Sequence, residues 1–153
     1  MKNLKEIEKH LFSYNISVDT SNRNNFGEIF TPTPLVEQML SHLDKSIFTD
    51  HKKTVIDSGC GNGQILASVL YNRCINGINF EDALSTIYGV DINPKNVEIC
   101  RERLLCGQEH LRHIVERNIV CADALKYHYR FDGTDPDRTT QDIQFDTLFE
   151  TVD

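Results

Sequence analysis

The chain has 153 residues, 39% hydrophobic and 25% charged, which suits one globular domain with room for a proper core. A formal net charge of −7 argues against a broad non-specific nucleic-acid surface. No apolar run approaches membrane-spanning length and the N-terminus lacks a signal-peptide core, so a cytoplasmic protein without a membrane partner is expected.

Leu4, Ile7, Leu11 and Tyr14 stand at helical spacing and predict an amphipathic helix over residues 2–14. A polar stretch from Asp19 to Asn25 predicts a loop. Thr33 then suits an N-cap and Pro34 the first helical position. The helix beyond is expected to bury Leu35, Val36, Met39, Leu40 and Leu43. These segments make an N-terminal helical part, residues 1–50, of a single domain spanning 1–153.

The rest is organised around Thr54 to Leu66. Thr54 to Ile56 reads as a short buried strand, followed by Asp57 and a loop carrying Gly59, Gly61 and Gly63. Ile65, Leu66, Val69 and Leu70 then predict one face of a helix. Strand, glycine loop and helix bring backbone close to a ligand at a helix N-terminus. The spacing is neither G-x-G-x-x-G nor a P-loop, and no lysine is placed to hold a phosphate.

Asn76-Gly77 marks a turn, Phe80 to Ser85 a short helix, and Ile87 to Asp91 a second strand ending in an acid. Asn93-Pro94 opens a helix with Val97, Ile99, Cys100, Leu104 and Leu105 as core candidates. Leu111, Ile114 and Val115 extend it after a break near Gly107. Arg101, Arg103, Arg112 and Arg117 interleave with Glu98, Glu102, Glu109 and Glu116, which predicts a solvated face with ion pairs. Asn118 to Asp123 is a third strand with its acid, Asp132 to Thr140 a polar loop, and Phe145 to Phe149 a fourth strand.

Five cysteines, mostly within apolar patterns, predict reduced core thiols. Cys100, Cys106, His110 and His113 lack a C-x-x-C partner, so no metal site is assigned. Alternating strands and helices predict an α/β fold with a doubly wound, mostly parallel sheet, truncated after about four strands. Ligands in such sheets lie beyond the carboxyl ends of the strands, where Asp57, Asp91 and Asp123 fall.

Asp57-Ser58-Gly59-Cys60-Gly61-Asn62-Gly63 is similar to motif I of S-adenosylmethionine-dependent methyltransferases. Gly27 to Pro32 resembles the G-x-x-x-T-P segment of N6-adenine DNA methyltransferases of restriction-modification systems. The resemblance spans Asn25 to Phe149 and implies a Rossmann-like cofactor domain binding S-adenosylmethionine. It implies that Thr31, flanked by Phe30 and Pro32, bonds the methionyl carboxylate, while Asp57, Gly59, Cys60 and Gly61 frame the methionine moiety. Asp91 would hold the ribose hydroxyls, Ile92 lie on the adenine face, and Asp123 with Ala124 read the adenine edge. The family's [DNS]-P-P-[YFW] motif has no counterpart, since the corresponding place reads Phe149-Glu150-Thr151-Val152-Asp153. No catalytic residue is therefore assigned. The expectation is a cofactor-binding protein that acts with DNA only through a partner chain, or a second copy, added at the fourth-strand edge. The alternative is a non-catalytic module that regulates a methyltransferase or sequesters its cofactor.

Overall fold

The computed structural model describes residues 2–14 and 31–133. The expected loop at Asp19 to Asn25, the segment from Asn25 to Phe30, most of the Asp132 to Thr140 loop and the fourth strand at Phe145 to Phe149 lie outside the described residues.

Helix α1 (Leu4–Phe12) is closed by a capping box in which Asn3 and Glu6 satisfy each other's backbone N–H. Ile7 and Leu11 are buried, whereas Leu4 is exposed. Helix α2 (Thr33–Ser41) starts one residue earlier than expected. Pro32 is its N-cap and Pro34 sits one position further in. Thr33 does not cap the helix; its hydroxyl accepts from Gln64 Nε2 at 3.0 Å. Only Val36 and Leu40 of α2 are buried, while Leu35, Met39 and Leu43 are exposed. Just one stripe of this helix meets the domain, so three of the five expected apolar residues face outward.

After the short α3 (Ser46–Thr49), strand β1 covers Val55–Asp57. Asp57 is thus its last residue, and Ile56 is 48% exposed where a buried strand was expected. Helix α4 (Gln64–Ile75) is the centre of the domain. Leu66, Ala67, Ser68, Val69, Leu70, Arg73 and Cys74 are all buried, which is burial around most of the helix rather than on one face. The reason is its position, with α1, α2 and α3 on it as well as β2. Its end carries the expected turn, with Gly77 N–H bonded to the Cys74 carbonyl and Ile78 N–H to the Arg73 carbonyl.

Helix α5 (Phe80–Ser85) and strand β2 (Ile87–Asp91) match their expected bounds. Helix α6 (Pro94–Leu105) follows with Asn93 as its cap, then a 3-10 turn (Glu109–Leu111), α7 (Arg112–Asn118) and β3 (Ile119–Cys121). Val97, Cys100, Leu104 and Leu105 are core residues, whereas Ile99 is exposed. The arginine-rich face is only partly solvated. Arg112 pairs with Glu102 and Glu109, each at 2.7 Å. Arg101 instead caps the Ile119 carbonyl, and Arg103 is fully buried.

The three strands are parallel, in the order β1-β2-β3, with Val55 opposite Ile87 and Gly89 opposite Ile119. This is an α/β fold. The described crossovers all run in one direction, so the reversal of a doubly wound sheet does not occur within them. All five cysteines are free and buried, as their apolar settings predict. No helix among the described residues is long and apolar enough to cross a membrane.

The core fits closely where the glycine loop meets the sheet. A Cβ on Gly89 would lie 2.9 Å from both Cys60 Sγ and Leu66 Cδ1. Gly89→Ala is expected to lower stability by about 1–3 kcal/mol through overpacking, measurable as a lower urea midpoint.

Candidate cofactor site

A parallel sheet sends all its carboxyl ends to one rim, and the three acids follow from that. Asp57 ends β1 and Asp91 ends β2, while Asp123 stands two residues beyond β3. The extension past β3 is held in line by Ala122 N–H, which donates to the Asp91 carbonyl at 3.0 Å. Cys60 N–H donates to the Val90 carbonyl at 3.0 Å, so the glycine loop rests on the end of β2.

Asp91 bolts this rim together. Its Oδ2 accepts from Gly61 N–H at 3.0 Å. Its Oδ1 accepts from Asn93 N–H at 2.8 Å and, more weakly, from Asn96 Nδ2 at 3.5 Å. One carboxylate therefore fixes the glycine loop to the start of α6. Each oxygen of an ionised carboxylate has more than one acceptor site, so capacity remains for a ligand hydroxyl.

Asp57 Oδ1 accepts from Gly59 N–H at 3.1 Å, folding the loop back over its own strand. Burial pushes the Asp57 carboxyl above its usual range, opposed by the Gly59 bond and reinforced by the negative charge of Asp91. The folded protein thus holds this proton more tightly than the unfolded chain. The associated stability is highest on the acid side and falls as pH rises through the window between the ordinary and the raised value. Asp57→Asn is expected to remove that slope and raise the melting temperature at neutral pH, as thermal melts on both sides of the carboxylate range will show.

Gly61 and Gly63 both take left-handed backbone, with φ of 52° and 84°. Gly63 additionally lies so close to α6 that a Cβ would stand 2.6 Å from Cys100 Sγ. Gly59 differs. Its φ is not positive, and a Cβ there would meet nothing within 4 Å. Among the described residues nothing packs against this position, so its face is open to a bound group. Contact with the Cys100 thiol and burial push the Cys60 pKa well up, which disfavours its thiolate.

Asp123 Oδ1 accepts from Leu125 N–H at 2.9 Å, and its Oδ2 lies 3.8 Å from Lys126 Nζ. Ala124 is half-buried, and its carbonyl accepts from the Tyr129 hydroxyl at 2.8 Å. Ile92 is 38% exposed directly beyond Asp91, an apolar surface at the mouth of the rim. Thr31 and Pro32 immediately precede α2, whose first residue is tied to Gln64 at the start of α4. The start of α2 is thereby tied to the residue that follows Gly63. Phe30 lies outside the described residues.

The fit to a cationic, nucleoside-bearing ligand rests on these observations. The rim offers acids, an apolar residue and an open glycine face. A cavity of about 1030 Å³ lies elsewhere, between α1, α2, α3 and α4, and is lined by Phe12, Leu40, Phe48 and Tyr71 among others. It includes none of the three acids.

Asn93, Asn96 and Arg103 support the rim, although the sequence marks Asn93 only as a helix entry, places Arg103 on a solvated face and gives Asn96 no role. The Asn93-Pro94 helix entry was a visible signal for the first of these. Arg103 had a subtler one, since it falls three residues after Cys100 on the buried stripe of α6.

Comparison with known proteins gives the family. One curated relative is a small RNA 2'-O-methyltransferase from Arabidopsis thaliana, 31% identical over 93 residues. The match covers 59% of this chain but only 9% of that protein. No solved structure is significantly similar. The family model for N-6 DNA methylases matches residues 9–146, nearly the whole chain. The chain belongs to the N-6 DNA methylase family.

Proposed function

We propose that the chain binds S-adenosylmethionine at the carboxyl rim and forms the cofactor-binding part of an adenine-N6 type DNA methyltransferase. The observation that carries this reading is the rim itself, three strand-end carboxylates around a glycine loop whose Gly59 face is open, in a chain of this family. Asp57 would face the cationic methionine end, where a positive group relieves the penalty of its burial beside Asp91. Asp91 would hold the ribose, Ile92 the adenine face, and Asp123 with the Ala124 backbone the adenine edge. Thr31, between Phe30 and Pro32, would take the carboxylate. The cofactor would supply an electrophilic methyl group, and this chain's residues would orient it, since transfer depends mainly on positioning acceptor against donor.

The acceptor side is supplied from elsewhere in this reading. The chain has no two adjacent prolines, so the [DNS]-P-P-[YFW] motif is missing from it. Base flipping needs such a pocket. A partner chain or second copy would complete the Rossmann-like sheet and contact DNA, as part of a restriction-modification type system. Light scattering alone and with DNA tests this; a monomer indifferent to DNA and to any partner argues against it.

Calorimetric titration of S-adenosylmethionine is the direct test, with wild type and Gly59→Ala side by side. Micromolar binding to wild type is expected. Gly59→Ala should melt normally, because its methyl group clashes with nothing in the protein, yet bind at least about tenfold more weakly. A folded wild type that ignores the cofactor sinks the proposal. A second reading is a non-catalytic module that sequesters cofactor or regulates a methyltransferase. Transfer of labelled methyl groups to adenine-containing DNA would exclude it.

A further inference from the structure

Helix α6 presents two residues, one turn apart, to the underside of the glycine loop. Cys100 Sγ fills the space where a side chain on Gly63 would go. Arg103, fully buried, sends Nη1 to Asn62, with its side-chain oxygen at 3.2 Å and its carbonyl at 3.4 Å. The same guanidinium sends Nε to the Leu11 carbonyl in the last turn of α1, at 2.6 Å. Its carbon stands 6.0 Å from the centre of the Tyr14 ring. A second tie joins the same turn to α6, with His10 Nε2 3.3 Å from the Glu102 carbonyl oxygen.

Asn62 is the residue between the two left-handed glycines. The loop is therefore held at adjacent residues, Gly61 by Asp91 and Asn62 by Arg103. Burial pushes the Arg103 pKa down to about 10, so keeping a cation here costs the fold stability. An apolar residue of similar volume would hold α1 to α6 without that cost. What only a guanidinium does is bond two elements at once from a rigid planar fork.

We infer that Arg103 is a positioning residue for the cofactor loop, and that it couples the seating of α1 to cofactor binding. The inference rests on the reading of the loop as the S-adenosylmethionine site. Coupling is reciprocal, so a ligand that orders the loop must also tighten α1. The N-terminal helix then belongs to the binding machinery although it touches no ligand.

Amide hydrogen exchange and calorimetry on the full chain test this with wild type, Arg103→Met and Arg103→Lys. Without ligand, both variants should exchange the Gly59 to Gly63 amides faster than wild type under conditions where all three are folded. With S-adenosylmethionine, exchange across Leu4 to Phe12 should slow in wild type and stay unchanged in the variants. Cofactor affinity should fall about tenfold in each, since lysine keeps the charge but cannot reach both acceptors. Wild-type loop exchange in a folded Arg103→Met overturns the inference, as does an α1 indifferent to bound cofactor. A wild type that binds no cofactor sinks the site reading alone, and the ligand-free arm still decides the role of Arg103.

Discussion

Arg73→Leu should lower folding stability by at least about 3 kcal/mol, a large part of the roughly 5–15 kcal/mol that holds a domain together. Arg73 is fully buried in α4. Its Nε donates to the Ile47 carbonyl at 2.8 Å and its Nη2 to the Lys53 carbonyl at 2.6 Å. Its Nη1 donates to the Ala83 carbonyl at 2.9 Å and to the Thr86 hydroxyl at 2.8 Å. One side chain thus ties α3, the entry to β1, the end of α5 and the entry to β2. Leucine fills much of the volume but leaves several acceptors unsatisfied, each worth about 1–3 kcal/mol when buried. Burial pulls the Arg73 pKa down, and the negative charge of Asp50 opposes that shift. Urea unfolding measures the effect. A loss below about 1 kcal/mol would show that water satisfies those carbonyls and that the cluster is not a structural centre.

Asp91→Ala has the second large effect, and it divides between stability and binding. Removing the carboxylate strands the N–H groups of Gly61 and Asn93, and the stability cost is about 2–3 kcal/mol. If Asp91 also holds the ribose, cofactor affinity falls by a further one to three kcal/mol, roughly 5- to 150-fold. Asp91→Asn separates the two roles. Its remaining carbonyl oxygen can still accept from the loop, so most stability should return, while the uncharged side chain remains a poor acceptor for two hydroxyls. Calorimetry beside thermal melts reads both quantities. Full affinity in a folded Asp91→Ala places the ribose elsewhere on the rim.

The elements whose chemistry is local were legible in the sequence. Strand β2 and helix α5 have the expected bounds because a β-branched or aromatic run ends in an acid, and an Asn cap precedes an apolar turn. The glycine loop and its three acids were legible for a similar reason, since a parallel sheet puts every strand end on one rim. What stayed hidden depends on third-body contacts. Arg103 reads as part of a solvated face, yet it sits on the buried stripe of its helix, as Arg73 does beside Val69, Leu70 and Cys74. Nothing in a helical period says that carbonyls from other segments will converge there. Exposure of Leu35, Met39 and Leu43 was hidden likewise, because periodicity marks an apolar face but not how much of it a neighbour covers. At the site, the identity of the rim acids was readable, whereas the bond from Asp91 back to Gly61 needed the packed loop.

Strand order here follows chain order, each described strand pairing with the one before it. Such a sheet can be laid down as the polypeptide leaves the ribosome, one β-α-β unit at a time, without waiting for a distant segment to thread between formed strands. The outer side of β1 is therefore made first and stays open through that sequence.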